Sequence, residues 1–235
     1  MVVRILNEGL PLDEVLFFDT GMEFDSIYRN RDKLKKILKD RNIKYTELSS
    51  KNHFLFDMFV KPVKYRDSNK PYPYHYGYGW CGQRGIRWGT TGKLSSMRNH
   101  YKENYPECEI VEYVGIAADE SERATEVKRN PLIRKVYPLI EWNMTEEMCL
   151  NYCYRNGWDW DENGVELYDI LDRVSCWCCQ NKNLKELKNI YIYLPEYWQR
   201  LRGLQSRIGT PMKGVGKSVF ELEERFKKEL EKEKK

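Results

Sequence analysis

No apolar stretch in this 235-residue chain approaches the roughly 20 residues that a membrane-spanning helix needs, so a helical membrane protein is excluded. The N-terminus lacks the basic start, apolar segment and small-residue cleavage site of a secretory leader, and the cytoplasm is the expected compartment. Charge of one sign is also missing. Lys plus Arg number 40 against 36 Asp plus Glu, and the net charge of +4 demands no nucleic-acid partner, although an uneven distribution permits one. Histidine is scarce. His53, His75 and His100 lie far apart with no nucleophile paired to them, which leaves a Cys-His or Ser-His hydrolase unsupported.

Two further absences dispose of attractive strings. Asp159-Trp160-Asp161-Glu162-Asn163-Gly164 copies the start of a calcium-binding EF-hand loop, but its twelfth position is Ile170 where a bidentate Glu is required. Gly216-Lys217-Ser218 looks like the end of a Walker loop, yet Pro211 stands where the first glycine belongs. Calcium and a Walker-type phosphate site are both rejected, although the basic, glycine-rich segment 209–217 could still touch a phosphate.

What is present starts with 41% hydrophobic residues, enough for a sizeable core, and with 14% aromatics, including 17 tyrosines and seven tryptophans. The run Val15-Leu16-Phe17-Phe18, closed by Asp19-Thr20-Gly21, reads as a buried parallel strand whose C-terminal end carries functional residues. Residues 1–14 read as the last turns of a helix with a glycine stop, so neither a strand nor a phosphate loop is expected ahead of that run. Residues 26–41 have the apolar spacing of a surface helix and 43–48 read as a short strand, giving a β-α-β unit with a right-handed crossover. Residues 49–80 read as a long aromatic loop or lid.

A helical stretch is expected around 93–104, a strand at 109–116 and a fourth, short strand at 136–141, with Pro138 near its end or at a sheet edge. Asn143 and Glu146 stand at capping-box spacing ahead of a mostly helical second half. The last segment, 221–235, has equal numbers of acidic and basic residues and an apolar stripe of Val219, Leu222, Phe226 and Leu230, the pattern of a solvated helix docked by one face. The fold class is α/β, with a strand-bearing α/β domain over 1–141, whose strand tips are suited to a ligand, and a helical region carrying the cysteine cluster over 142–235.

Two strand tips carry polar clusters. Asp19, Thr20, Gly21 and Glu23 place two carboxylates and a hydroxyl where they suit ribose hydroxyls, an amide or a metal, or where Asp19 simply caps a turn. Asp119 and Arg123 follow the 109–116 strand, and Arg123 could meet a phosphate with carboxylates holding it in place. Seven cysteines, an odd number with Cys176, Cys178 and Cys179 crowded together, are not an extracellular disulfide framework. Cys176 and Cys179 form a Cys-x-x-Cys turn able to reach one ion or cluster, Cys81 is a distant third ligand, and ordinary buried cysteines are the alternative. The fourth ligand would come from Cys178, Cys108, Cys149 or Cys153, the last two at helical i, i+4 spacing and better suited to packing as small hydrophobes.

Taken together, Phe18-Asp19-Thr20-Gly21-Met22-Glu23-Phe24, the segment from Trp80-Cys81-Gly82 to Arg87-Trp88-Gly89-Thr90, Gly115-Ile116-Ala117-Ala118-Asp119-Glu120 and Cys176-Trp177-Cys178-Cys179-Gln180-Asn181 resemble the phosphoadenosine phosphosulfate (PAPS) reductase family, nearest to its uncharacterised phage and bacterial members. The likeness runs from the first residues to about Arg207. It implies the adenine nucleotide α-hydrolase fold of the PP-loop superfamily, a parallel sheet with flanking helices that binds ATP or PAPS at its strand tips. On that resemblance Asp19, Thr20, Gly21 and Glu23 meet the nucleoside side, with Asp119 at the second tip. Arg87 and Arg123 meet anionic groups, and Cys81, Cys176, Cys179 and Cys178 hold a [4Fe-4S] cluster or zinc.

The family ordinarily opens with a strand and a Ser-Gly-Gly-Lys-Asp-Ser type PP-loop that binds phosphate or sulfate. This sequence contains no such loop, and its first residues fall in the helix that should follow it, so the chain reads as shortened by one strand and the loop, through a late start or as a natural derivative. The reductases proper also use a C-terminal cysteine nucleophile, whereas no cysteine follows Cys179. PAPS reduction is therefore not expected of this chain. The expected activity is sulfur-transfer or nucleotide-activation chemistry of the PP-loop pyrophosphatase type in a complete protein. The alternatives are a non-catalytic module binding nucleic acid or a sulfur-transfer partner through Tyr72 to Trp88, and an inert product. An unpaired sheet edge would favour a homodimer.

Overall fold

The computed structural model describes residues 1–65, 69, 71–124 and 131–233. In chain order its elements are α1 (Val2–Glu8), β1 (Glu14–Asp19), α2 (Asp25–Asp40), β2 (Lys44–Ser49), α3 (Phe54–Phe59), β3 (Pro62–Lys64), β4 (Tyr74–Tyr76), α4 (Trp88–Asn104), β5 (Ile110–Tyr113), β6 (Ile133–Val136), α5 (Pro138–Glu141), α6 (Glu146–Arg155), β7 (Asp161–Glu162), β8 (Val165–Glu166), α7 (Leu167–Ile170), α8 (Leu184–Tyr193), α9 (Pro195–Gln205) and α10 (Val219–Glu233). The chain is mixed α/β. Among the described residues the strands associate in pairs: β1 with β2, β3 with β4, β5 with β6, and β7 with β8.

The chain divides into two compact units and crosses between them several times. The first comprises Met1–Leu16, Asn30–Thr46 and Arg98–Asp159. Its apolar centre is Leu6, Val15 and Leu38, with Leu34 and Ile37 packed against them from the same stripe of α2. Glu14 ties its three segments together. That carboxylate accepts from Tyr105 Oη at 3.0 Å and from Thr46 Oγ1, and it meets His100 Nε2 at 3.0 Å and Lys44 Nζ at 3.1 Å. Burial works against the charge, but the bonds from Thr46, His100, Lys44 and Tyr105 outweigh it and hold the Glu14 pKa down at about 2. β5 and β6 run parallel, with Ile110 opposite Ile133 and Tyr113 opposite Val136. α1 ends as expected at Gly9, whose φ of 66° is left-handed.

Several expected elements shift. The run 15–18 is a strand, but only Val15 is buried and its neighbours are half-buried, because a two-stranded sheet does not cover both of its faces. The strand expected at 136–141 lies earlier, at Ile133–Val136, and Pro138 opens the helical turn α5, where its fixed φ and missing N–H suit a first helical position. Asn143 does not cap α6. It takes a left-handed φ of 50° just after α5, and Thr145 is the cap, its hydroxyl accepting from Met148 N at 3.2 Å.

The second unit comprises Phe17–Arg29, Glu47–Met97 and Trp160–Lys235. The expected loop at 49–80 holds α3 and the antiparallel β3–β4 hairpin, in which Val63 pairs with His75; part of it, residues 66–68 and 70, lies outside the described residues. Gly77 closes this hairpin against α3. Its φ is +70°, and a Cβ there would stand 2.2 Å from the Met58 carbonyl oxygen. The Asn163-Gly164 pair, inside the string that mimics a calcium loop, is a two-residue hairpin turn with positive φ at both positions, joining β7 to β8. α8, α9 and α10 bury Leu187, Ile190, Tyr197, Trp198, Leu201, Val219, Leu222 and Phe226. Each such side chain contributes about 1.5–3 kcal/mol on burial, which fixes the rotation of α9 about its axis. α10 docks by the stripe the sequence predicts, and Lys234 and Lys235 lie outside the described residues.

Candidate nucleotide and thiol site

In the second unit, the turn after β1 is built by its own side chains. Asp19 Oδ1 accepts from Gly21 N at 2.7 Å and from Tyr28 Oη at 2.8 Å. Gly21 permits the turn through its φ of +72°. Thr20 Oγ1 accepts from Met22 N at 3.1 Å and donates to Glu23 Oε1 at 2.7 Å. Asp19 and Thr20 are thereby committed to shaping the turn. Burial and the Asp19 carboxylate together push the Tyr28 pKa up, so its hydroxyl stays a donor.

The N-terminus of α2 is anchored from beneath. Glu162, 1% exposed, accepts from Ser26 N at 2.9 Å and from Tyr197 Oη at 2.6 Å, while Asp25 N donates to the Tyr197 hydroxyl at 3.2 Å. The Phe24 and Tyr197 rings pack with centroids 4.8 Å apart.

The cysteine turn meets this strand tip. Trp177 N donates to Met22 O at 3.1 Å, and the Cys176 thiol donates to Glu23 Oε1 at 3.5 Å and lies 3.9 Å from Thr20 Oγ1. The turn closes on itself through Cys179 N to Cys176 O at 3.0 Å and Lys182 N to Cys179 O at 3.2 Å. α8 then starts on a capping box between Asn183 and Glu186. Burial, with the Glu23 charge second, pushes the Cys176 pKa up to about 12; burial likewise raises Cys178.

The glycine-rich segment around Cys81 approaches the same turn. Gly82 stands where an added Cβ would lie 3.7 Å from the Gln180 side chain. Cys81 Sγ accepts from Gly89 N at 3.4 Å, and a Cβ on Gly89 would come within 3.1 Å of that sulfur, which explains glycine after Trp88. Burial raises the Cys81 pKa too, with Cys179 close enough to add to the effect. Lys182, 2% exposed, donates to Ser175 Oγ at 3.1 Å, and burial lowers its pKa. Among the described residues no three His, Cys, Asp or Glu side chains are placed to hold a metal ion. Cys81 Sγ and the Cys176 thiol are hydrogen-bonded, Cys178 is buried, and Cys179 is half-buried.

A cavity of about 460 Å³ opens beside this turn. The segment after β1 contributes Gly21, Glu23, Asp25 and Tyr28 to it, the cysteine turn contributes Trp177, and α3 contributes Leu55 and Phe59. The remaining wall comes from α9 and the turn beyond it, through Arg200, Gly203, Leu204 and Arg207. Its size lies within the roughly 300–1,000 Å³ of small-molecule sites. A wider depression of about 610 Å³ follows α10, but one helix supplies its whole lining, Phe220 to Lys232, so it has no second wall.

The remaining sequence-derived candidates fall elsewhere. Asp119 and Arg123 belong to the first unit, where Asp119 accepts from Glu146 N at 3.1 Å at the start of α6 and Arg123 pairs with Glu120. Cys108, Cys149 and Cys153 also belong to that unit, the last two half-buried on α6. Arg87 is exposed at the start of α4, near Cys81. No motif marks Arg200 and Arg207; their signal is the i, i+7 spacing around Gly203, with Arg200 on α9 and Arg207 in the turn just beyond it, while Tyr197, Trp198 and Leu201 of α9 are buried in the core.

No protein-family model matches the sequence, and no solved structure matches it. An uncharacterized protein of Methanocaldococcus jannaschii is 25% identical over 219 residues, which cover 85% of this chain and 37% of that protein. The chain thus spans little more than a third of the length of this relative.

Proposed function

We propose that this chain is an adenine-nucleotide-binding protein of the PAPS reductase-like class, with the adenine nucleotide α-hydrolase fold, serving sulfur-transfer or nucleotide-activation chemistry. The observation that carries the reading is the cavity where the Gly21–Glu23 turn and Trp177 of the cysteine turn meet, with Cys176 bonded to Glu23 beside it. An acceptor-rich turn suits the hydroxyls of a ribose, and Trp177 offers an apolar wall for a base. Glu23 accepts the Cys176 hydrogen bond, so it stands where a base for that thiol would have to stand. Calorimetric titration with ATP, AMP and adenosine tests this reading: saturable binding is expected, and no heat at millimolar nucleotide overturns it.

A second reading has its own observation. Tyr72, Tyr74 and Tyr76 are 73%, 49% and 73% exposed at alternating positions, and Lys64 stands opposite Tyr74 in the β3–β4 register. Tyr74 and Tyr76 are alternate residues of β4, which lie about 6.8 Å apart, a spacing that extended bases can match by stacking, and Tyr72 precedes them just outside the strand. This favours a single-stranded nucleic acid as partner of the hairpin. Fluorescence anisotropy with labelled oligonucleotides at low salt tests it, and equal binding by wild type and a Tyr72→Ala, Tyr76→Ala double variant removes it.

A further inference from the structure

Most arginines with a defined side-chain partner in this protein meet a carboxylate. Arg4, Arg31, Arg123, Arg202 and Arg225 each do so. Arg200 and Arg207 do not: their guanidinium carbons stand 4.6 Å from the Tyr197 ring centroid and 4.9 Å from the Phe59 ring centroid. Neither forms an ion pair or a side-chain hydrogen bond among the described residues. A guanidinium stacked on an aromatic face keeps its N–H edge available, and that edge matches two oxygens of a phosphoryl group.

Both platforms are fixed. Tyr197 is 1% exposed and held by Glu162, and Phe59, at the end of α3, is partly buried and packed against the apolar core. Between the two arginines Gly203 lines the same cavity, and a Cβ there would meet nothing within 4 Å. A helix-interior glycine is less favourable than alanine, and here no packing contact requires it. The open space over Gly203 therefore belongs to the cavity. The wall supplied by the segment after β1 bears the carboxylates Glu23 and Asp25, which repel an anion, together with the Tyr28 hydroxyl. The cavity is thus polarised, with acceptors from one segment and unpaired cations from another.

We infer that Arg200 and Arg207 form the anion-holding wall of this cavity and receive the phosphoryl groups of a nucleoside phosphate, with Gly203 leaving room for the ligand between them. The assignment of a nucleoside at the other end rests on the nucleotide reading above; the anion site itself does not.

The test titrates ADP, adenosine and inorganic pyrophosphate into the full chain as wild type, Arg200→Gln, Arg207→Gln, Gly203→Leu and, as a control, Arg225→Gln. Each arginine variant is expected to weaken ADP by about tenfold, the worth of one charge-assisted hydrogen-bonded pair, while adenosine is unchanged. Gly203→Leu is expected to abolish ADP binding with an unfolding midpoint no lower than wild type, and Arg225→Gln to bind as wild type. ADP binding unchanged by Arg200→Gln and Arg207→Gln overturns the arginine wall and leaves the nucleotide reading standing. Arginine-dependent binding of pyrophosphate without adenosine or ADP overturns the nucleotide reading and leaves the wall standing. Binding of none of the three probes overturns both.

Discussion

The guanidinium of Arg200 lies over the ring of Tyr197, 4.6 Å from its centroid, and the hydroxyl of that ring donates to the buried Glu162 at 2.6 Å. One tyrosine thus anchors α9 to the β7–β8 hairpin by its oxygen and carries a cation on its face. Tyr197→Phe keeps the face and removes the oxygen. Because a hydrogen bond to a charged group is worth about 1.5–3 kcal/mol, the variant is expected to lose that much stability. Urea unfolding measures it, and an unchanged midpoint would show that Glu162 is held by Ser26 N alone.

Glu14 sets the acid limit of the first unit. Its folded pKa, about 2, lies below the usual 4.5, so its contribution is complete above the unfolded value and is lost as pH falls from 4.5 toward 2. Acid unfolding of the wild type should steepen in that window. Glu14→Gln should be destabilised at neutral pH and show a flatter acid dependence, as followed by circular dichroism. Parallel curves for the two proteins would contradict the network of Thr46, His100, Lys44 and Tyr105 around this carboxylate.

Two glycine-to-alanine changes should have opposite signs. Gly203→Ala adds a methyl into open space within α9 and is expected to raise stability by about 0.5–1 kcal/mol. Gly77→Ala would force a positive φ on alanine and place its Cβ 2.2 Å from the Met58 carbonyl oxygen, costing about 3 kcal/mol or more. Thermal unfolding of both, side by side, checks the pair.

The cysteines should react in order of exposure. Cys108 is exposed and Cys178 is 5% exposed, so iodoacetamide on the native protein should modify Cys108 first and Cys178 last. Peptide mass mapping over time reads the order. Early modification of Cys178 would show that the turn from Cys176 to Lys182 opens readily.

Much of this was legible in the sequence where a local rule decided the outcome. The Gly9 stop, the apolar spacing of α2, the polar turn after β1 and the docked stripe of α10 all follow from periodicity and turn chemistry close at hand. Local rules failed where two competed. Asn143 satisfied a capping pattern with Glu146, yet its tolerance of left-handed φ ended α5, and Thr145 capped α6. Asn163-Gly164 was overshadowed by its likeness to a calcium loop and is a hairpin turn. The α9 wall could not be read from motifs, because Arg200 and Arg207 acquire their meaning only from the rings beneath them, one of which, Phe59, is distant in sequence.

Titration of ATP into the full chain, with Gly203→Leu alongside, tests the central claim most directly. Saturable one-to-one binding by the wild type, lost in a Gly203→Leu protein that unfolds at the wild-type midpoint or above, is the predicted result. No heat with wild type at millimolar ATP, or equal binding by both proteins, would contradict a nucleotide seated between Arg200 and Arg207.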